Sequence, residues 1–302
     1  MTILITRHDK IGDFITAVPM AKVLKEQTDH KIIFLVSKVN ETLALNLPFI
    51  DEVIVYTTDT LVLVKTLRSK NIDISISAFI DNKLGVALFL SGIKIRVAPA
   101  TKIAQIFFNK TIKQRRSKVE KTEWQYNLEL LKLYDDTLKL EFNTPLLDFG
   151  IKRENFIIFH PGSGGSSDGN LKLDDYISLA QNISSSIDVV FTFGPDDLEI
   201  KKYILLNIKN SNIKIKDNFD SLYSFTKYIA SSKLFISTST GPMHLAGLTN
   251  TPTLSFFGSN LFASSKRWAT ISELKYQNNF EVPMNYNKEF YYKIQQVIST
   301  YI

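Results

Sequence analysis

The feature that most constrains this chain is a change of hydrophobic rhythm that repeats, stops and starts again. Ile3–Thr6, Lys31–Val36, Val53–Tyr56, Ile74–Ala78 and Ile93–Val97 are short apolar, β-branched runs of strand length. Among them lie stretches with helical spacing, Thr16–Lys25, Leu61–Ser69 and Leu84–Leu90; in the first, Ala17, Ala21 and Leu24 share a face. A helix over Glu123–Tyr134 follows, then Pro145–Gly150 reads as a linker. The rhythm then resumes. Asn155–His160, Asp188–Phe193, Lys233–Ser237 and Thr253–Phe257 read as strands. Lys172–Ile183, a stretch after Pro195 to Leu206, Ser221–Ala230, Gly241–Leu248 and Lys288–Ile302 read as helices. Strands alternating with helices imply an α/β fold with mostly parallel sheets, one Rossmann-like sheet in each half. In such sheets ligands bind outside the carboxyl ends of the strands, so the loops that follow strands carry the chemistry.

Length and composition agree with that division. The 302 residues suit two domains of roughly 150 residues each. With 44% hydrophobic residues and a mean hydropathy of −0.01, a soluble protein with sizeable cores is expected. The chain has no cysteine, which excludes disulfides, zinc–thiolate sites and a cysteine nucleophile and allows a reducing compartment. No apolar run approaches the ~20 residues that span a bilayer. The longest, Gly85–Ile93, holds a Ser and two Gly, and Met1–Arg7 lacks the basic start of a signal peptide. A cytoplasmic protein is expected. The net charge is +6, with seven basic residues and one acidic one, Glu120, from Lys102 to Lys121. Such a run is either a solvated face or a contact for an anionic partner.

Three loops that follow strands stand out. The first is Arg7-His8-Asp9-Lys10-Ile11-Gly12-Asp13, in which Asp13 falls at a helix start. It reads as a helix N-cap, as a general base at a strand's carboxyl end, or as both. The second is His160-Pro161-Gly162-Ser163-Gly164-Gly165-Ser166-Ser167. Its glycines leave N–H groups free to approach a diphosphate, although a plain flexible loop has the same composition. It matches neither Walker A nor Gly-x-Gly-x-x-Gly. The third is Ser237-Thr238-Ser239-Thr240-Gly241-Pro242-Met243-His244, where four hydroxyls precede a Gly-Pro helix start. His244 suits a packed or capping histidine as well as direct chemistry. No Asp-x-Asp occurs, the four histidines are scattered, and Gly-x-Ser-x-Gly is missing. These patterns point away from a metal-bridged sugar-nucleotide site and from a Ser-His-Asp hydrolase.

Taken in order, Ile3-Leu4-Ile5-Thr6-Arg7 … Ile11-Gly12-Asp13 … Pro19, Phe159-His160-Pro161-Gly162-Ser163-Gly164 and Thr240-Gly241-Pro242-Met243-His244-Leu245-Ala246 … Thr251-Pro252 … Phe257-Gly258 resemble the ADP-heptose:lipopolysaccharide heptosyltransferases, glycosyltransferase family 9. The resemblance implies a GT-B architecture, two facing Rossmann-like domains with a central cleft. It places an acceptor-binding domain at residues 1–148, a nucleotide-sugar-binding domain at 149–284, and a C-terminal helix, 285–302, packed back on the first domain. It implies inverting, metal-independent transfer without a cofactor, from a nucleotide-diphosphate sugar such as ADP-heptose to a lipopolysaccharide-core or other anionic glycan. Asp13 would be the catalytic base. His160, Gly162, Ser163, Gly164, Gly165, Lys172, Ser239, Thr240, Gly241 and His244 would face the donor; Arg7, Lys10, Lys113, Arg115 and Arg116 would face the acceptor. The basic run would meet an anionic head group or the cytoplasmic face of the inner membrane.

Two departures leave the donor's sugar and nucleotide open. The family usually has Asp two residues before the Gly of the third motif, where this chain has Ser239. It also usually has a basic pair about eight residues beyond His-Pro-Gly; here Lys172 is the nearest cation, with Lys266 and Arg267 as further candidates. Two other readings keep the nucleotide site, a sugar-nucleotide epimerase or hydrolase and a non-catalytic sugar-nucleotide binder. A nucleic-acid binder has only the basic run in its favour.

Overall fold

The computed structural model describes residues 1–162, 169–183, 186–209 and 212–302. The chain forms two compact units, Met1–Leu146 and Leu147–Ile302, so the division falls within the stretch read as a linker, two residues before the expected boundary. Unit 1 runs β1 (Thr2–Arg7), α1 (Ile11–Gln27), β2 (Lys31–Val36), α2 (Glu41–Ala44), β3 (Glu52–Val55), α3 (Thr60–Ser69), β4 (Ile74–Ser77), α4 (Asn82–Leu90), β5 (Ile95–Pro99), β6 (Lys110–Ile112) and α5 (Glu123–Glu129). Its strands are parallel in the order β3-β2-β1-β4-β5-β6. Unit 2 runs β7 (Phe156–His160), α6 (Leu173–Gln181), β8 (Asp188–Phe191), α7 (Leu198–Asn207), β9 (Ile213–Ile215), α8 (Leu222–Ala230), β10 (Leu234–Thr238), α9 (Gly241–Leu248), β11 (Thr253–Gly258), α10 (Ser265–Trp268), β12 (Gln277–Val282) and α11 (Lys288–Ser299). Its parallel order is β12-β11-β10-β7-β8-β9. Counted from its own first strand, each sheet reads 3-2-1-4-5-6 among the described residues.

That order has one reversal of direction per sheet, at β1/β4 and at β7/β10. There the following helices leave to opposite faces and open a crevice at the carboxyl ends. The central strands are buried on both faces, as parallel strands covered by helices must be: Ile3, Leu4 and Ile5, and Ile32 to Val36, are fully inaccessible. Helix α1 is buried all round, from Phe14 to Leu24, rather than along one stripe. Helix α5 closes its outer side, where Asn127 donates to the Thr16 hydroxyl at 3.0 Å. The expected Glu123–Tyr134 helix is this α5 followed by the 3-10 turn Leu130–Leu133.

The sequence reading passes over β6, β9 and β12. All three are edge strands. An edge strand needs one buried face at most, so Lys-Thr-Ile, Ile-Lys-Ile and Gln-Asn-Asn-Phe-Glu-Val carry little apolar signal. The C-terminal helix belongs to unit 2, where α11 buries Ile294 and Ile298 in the core with Leu171, Tyr176 and Phe256. Tyr286 donates to Asp175 just before it, Phe290 sits edge-on to Phe280, and the Asn278 amide donates to Tyr301 at 3.1 Å. Apolar matching to its own unit decides where this helix lies.

His160 ends β7 with 3% exposure. Its Nδ1 pairs with the Thr192 hydroxyl at 3.0 Å, and the rings of Phe225 and Phe235 lie 6.1 Å away. Burial lowers its pKa to about 4, against a weaker opposing effect of Thr192, so the ring is neutral at pH 7. Between pH ~6.5 and ~4 the unfolded chain takes up a proton that the folded chain refuses. This contribution to stability is therefore complete above pH ~6.5 and falls with acidification by up to about 3 kcal/mol. Urea unfolding between pH 7.5 and 5 should show unit 2 losing stability, and His160→Gln should flatten that part of the slope. In the same assay at pH 7.5, Ile294→Ala should destabilise unit 2 by about 2–5 kcal/mol, because it empties a fully buried site.

Candidate functional site

At the β1/β4 switch point the chain buries a cation. Arg7, the last residue of β1, has a side chain 5% exposed. Its Nε donates to Asp9 Oδ1 at 2.8 Å, its Nη1 to the Ala78 carbonyl at 3.0 Å, and its Nη2 to Asp13 Oδ1. Burial alone would lower the guanidinium's pKa; Asp13 and Asp9 together lift it above its ordinary value. Burial pushes the Asp9 carboxyl up, as does the nearby Asp13 charge, and the opposing Arg7 leaves it above the usual carboxylate range. All three nitrogens of the Arg7 guanidinium already face partners in this corner, and one of those partners is Asp13.

Asp13 is not a cap. The N-cap of α1 is Lys10, which makes no side-chain capping bond, and Asp13 stands in the first turn, third residue of the helix. There the helix dipole favours its negative charge. Its side chain keeps 18% exposure, so one carboxylate oxygen is clamped while the group still meets solvent. Lys10 is exposed at the same loop.

The loop after β4 completes this corner, and the sequence reading left it out. His8 pairs with Asp81 at 2.7 Å, and its ring lies 4.1 Å from Tyr56 and 5.3 Å from Phe79. Asp81 also caps α4 by accepting from the Leu84 N–H. Burial pushes the Asp81 carboxyl up, but the His8 and Leu84 bonds outweigh it, and the group ends below its ordinary value. Phe79 is a shelf between cations: Arg7 lies 5.8 Å from its ring centre, and Lys102 Nζ lies 4.0 Å away while donating to the Ile80 carbonyl. The available signal was positional, because Phe79-Ile80-Asp81 follows a strand just as the three recognised loops do.

The basic run divides. Lys110 donates to the Leu133 carbonyl, Lys121 pairs with Glu129, and Arg116 grips Gln114 and the buried Glu123 at 2.7–3.0 Å. Arg116, expected at the acceptor, is therefore a structural cation. Lys113, Arg115 and Lys118 remain exposed.

In unit 2 the β7/β10 switch point joins the other two loops. His160 lies opposite Ser237 in the register, and Thr238 reaches across to the Gly169 carbonyl at 2.6 Å. Ser163, Gly164 and Gly165, expected at the donor, lie outside the described residues. The stems of their loop are firmly held. Asn170 donates to the Pro161 carbonyl at 3.0 Å and accepts from Tyr176, and a Cβ on Gly169 would come within 2.1 Å of the Phe257 carbonyl oxygen. His160 was expected to face the donor; its ring is buried, neutral and packed near Phe225 and Phe235. Gly162 answers to packing, since a Cβ there would fall 1.9 Å from Asp197 Oδ2. That carboxylate accepts from the Gly194 N–H at 2.7 Å. Lys172 is exposed at the N-cap of α6. Ser239 is half-buried with its N–H bonded to the Phe256 carbonyl, and Thr240 is the N-cap of α9, which begins at Gly241. His244 is buried, 6.3 Å ring to ring from Trp268. Beside it the buried Arg267 stacks over Phe262 at 3.7 Å and over Trp268 at 4.9 Å, which brings a cation to this edge.

Comparison with known proteins fits these two edges into one pattern. The family model for glycosyltransferase family 9 (heptosyltransferase) matches residues 61–290. A Haemophilus influenzae protein named "Putative glycosyltransferase" is 35% identical over 301 residues, covering 90% of this chain and 86% of its own length. Lipooligosaccharide heptosyltransferase 2 of Campylobacter jejuni is 30% identical over 144 residues, covering 44% of this chain and 45% of its own. Among solved structures, E. coli ADP-heptose lps heptosyltransferase II superposes with a TM-score of 0.81 at 16% identity, covering 100% of this chain and 98% of that one, so the two share the GT-B fold. Two parallel sheets of one strand order, the motif order along the chain and these matches converge: the chain is a heptosyltransferase-like enzyme and belongs to glycosyltransferase family 9.

Proposed function

We propose that the chain transfers a sugar, heptose from ADP-heptose in the favoured reading, to a lipopolysaccharide-core or other anionic glycolipid acceptor, with inversion and without a metal. The observation that carries this is Asp13: a carboxylate at a switch point, held on one oxygen by a buried guanidinium and still open to solvent. In the proposed step an acceptor hydroxyl attacks the anomeric carbon and gives its proton to Asp13. The bond from that carbon to the diphosphate oxygen breaks, and its electron pair leaves with the nucleoside diphosphate. N–H groups at the start of α9, with Arg267 and Lys172, would meet the charge that gathers on the leaving group. Of the cations expected at the acceptor, Lys10, Lys113 and Arg115 are exposed and would meet an anionic acceptor. The E. coli enzyme of the solved structure is named for ADP-heptose and lps, and the Campylobacter relative's name points to lipooligosaccharide. Both support the favoured donor and acceptor.

Asp13→Asn should lower kcat by about 10²–10⁴-fold, the usual worth of a general base, and leave the thermal shift given by the nucleotide sugar unchanged. A panel of ADP-, UDP-, GDP- and CDP-sugars read by that shift identifies the donor; silence from all four would overturn the proposal. Complete donor turnover with no acceptor present would replace transfer with epimerisation or hydrolysis. Arg7→Gln should destabilise unit 1 by about 3–5 kcal/mol in urea unfolding, since it leaves two neighbouring carboxylates partly buried without their cation.

A further inference from the structure

We infer that unit 1 docks on an anionic lipid bilayer through a face made by the end of α4 and the 3-10 turn Ile103–Phe107. Three observations meet there. Residues 82–119 hold nine Lys and Arg and no Asp or Glu. Ile103 and Ile106 are 80% and 71% exposed, and Phe89 and Leu90 at the end of α4 are 54% and 44% exposed. Residues three apart eclipse on a 3-10 helix, so the two isoleucines stand side by side while Ala104 faces the core. The turn is fixed to α4 through Gly85, where a Cβ would lie 2.7 Å from Phe107 Cδ2, and through the Phe89 and Phe107 rings, 6.4 Å apart.

Cations touch this apolar ridge and lie along the same stretch of chain. Arg96 lies 5.3 Å over the Phe89 ring, and Arg68 donates to the Leu90 carbonyl at 2.7 Å. Lys83, Lys94, Lys113, Arg115 and Lys118 are exposed and make no ion pair among the described residues. The end of β6 is tied to the start of this segment, as Ala100 donates to the Ile112 carbonyl, so Lys113 leaves the sheet beside Thr101 and Lys102. Apolar side chains at the front with unpaired cations around them are what a membrane interface selects. A second copy of this chain is a poor occupant: two faces built from a stretch with nine Lys and Arg and no Asp or Glu would bring like charges together. The inference deepens the lipid-linked acceptor proposed above, and its test is separable from that reading.

The experiment is co-sedimentation of the full chain with phosphatidylcholine vesicles, with and without phosphatidylglycerol. Binding is expected only with phosphatidylglycerol and should weaken as salt is raised. Ile103→Ser with Ile106→Ser should lower partitioning by about tenfold or more while the melting temperature and the donor-induced thermal shift hold. Ile103→Trp should bind at least as well as the parent and gain a blue-shifted emission on vesicle addition. Absence of binding to phosphatidylglycerol vesicles, or equal binding by the double Ser variant, would overturn the inference. So would a concentration-dependent dimer that the double variant abolishes, which would assign the ridge to self-association. Donor recognition and transfer to a detergent-dispersed acceptor test the enzymatic reading, and either can fail while the other stands.

Discussion

A parallel strand can pair with its neighbour only after the chain has crossed back over the sheet. Every strand in both units obeys this, so every loop that follows a strand emerges at the same edge of its sheet. The chemistry has no other place to collect. The 3-2-1-4-5-6 order then singles out one gap in each edge, and the loops read from sequence as chemically rich fall on those gaps. Arg7 turns the first gap into a defined object. It ends β1, pairs with a residue of α1 and bonds the carbonyl that follows β4, so three elements share one buried charge. A buried guanidinium is tolerable only with its partners in place, which makes the corner cooperative.

The two gaps are built by different means. In unit 1 the polar groups centre on charge: Arg7 pairs with Asp9 and Asp13, and His8 is hydrogen-bonded to the Asp81 carboxylate. In unit 2 they are mostly neutral, hydroxyls and backbone amides around Thr238, Ser239, Thr240 and Gly169, with Arg267 stacked on aromatic rings nearby. A fixed charge suits a proton acceptor. Neutral donors aligned at a helix start suit a group that arrives already charged and leaves with more.

What was legible in the sequence follows from what periodicity measures. Central strands such as Lys31–Val36 and buried helices such as Gly241–Leu248 are readable to the residue, because burial on both faces imposes a continuous apolar run. The edge strands β6, β9 and β12 escape because half of each answers to solvent, whereas the edge strand β3 is read because its run Val53–Tyr56 is apolar. Loop chemistry is legible as composition and not as role. Nothing in Arg7-x-Asp9 says that the cation is spent inside the protein, nor does the spacing in Arg115-Arg116 say that only the second meets a buried glutamate. His160 shows the same limit, for a histidine at a strand's carboxyl end looks identical whether it faces a ligand or two phenylalanines. The residues that α11 meets within its own unit, Leu171, Tyr176 and Phe256 among them, are likewise a matter of apolar complementarity that only coordinates reveal.

The glycine at position 162 carries a consequence for how this loop can change over time. Its missing side chain is the space occupied by the Asp197 carboxylate, which in turn holds the Gly194 N–H. An alanine at 162 would have to displace that carboxylate and free an amide at the end of β8. A shortened residue at 197 would leave a hole beside Gly162. Neither change is tolerated first, so the two positions are bound to drift as a pair, and a relative that has lost one should have lost the other.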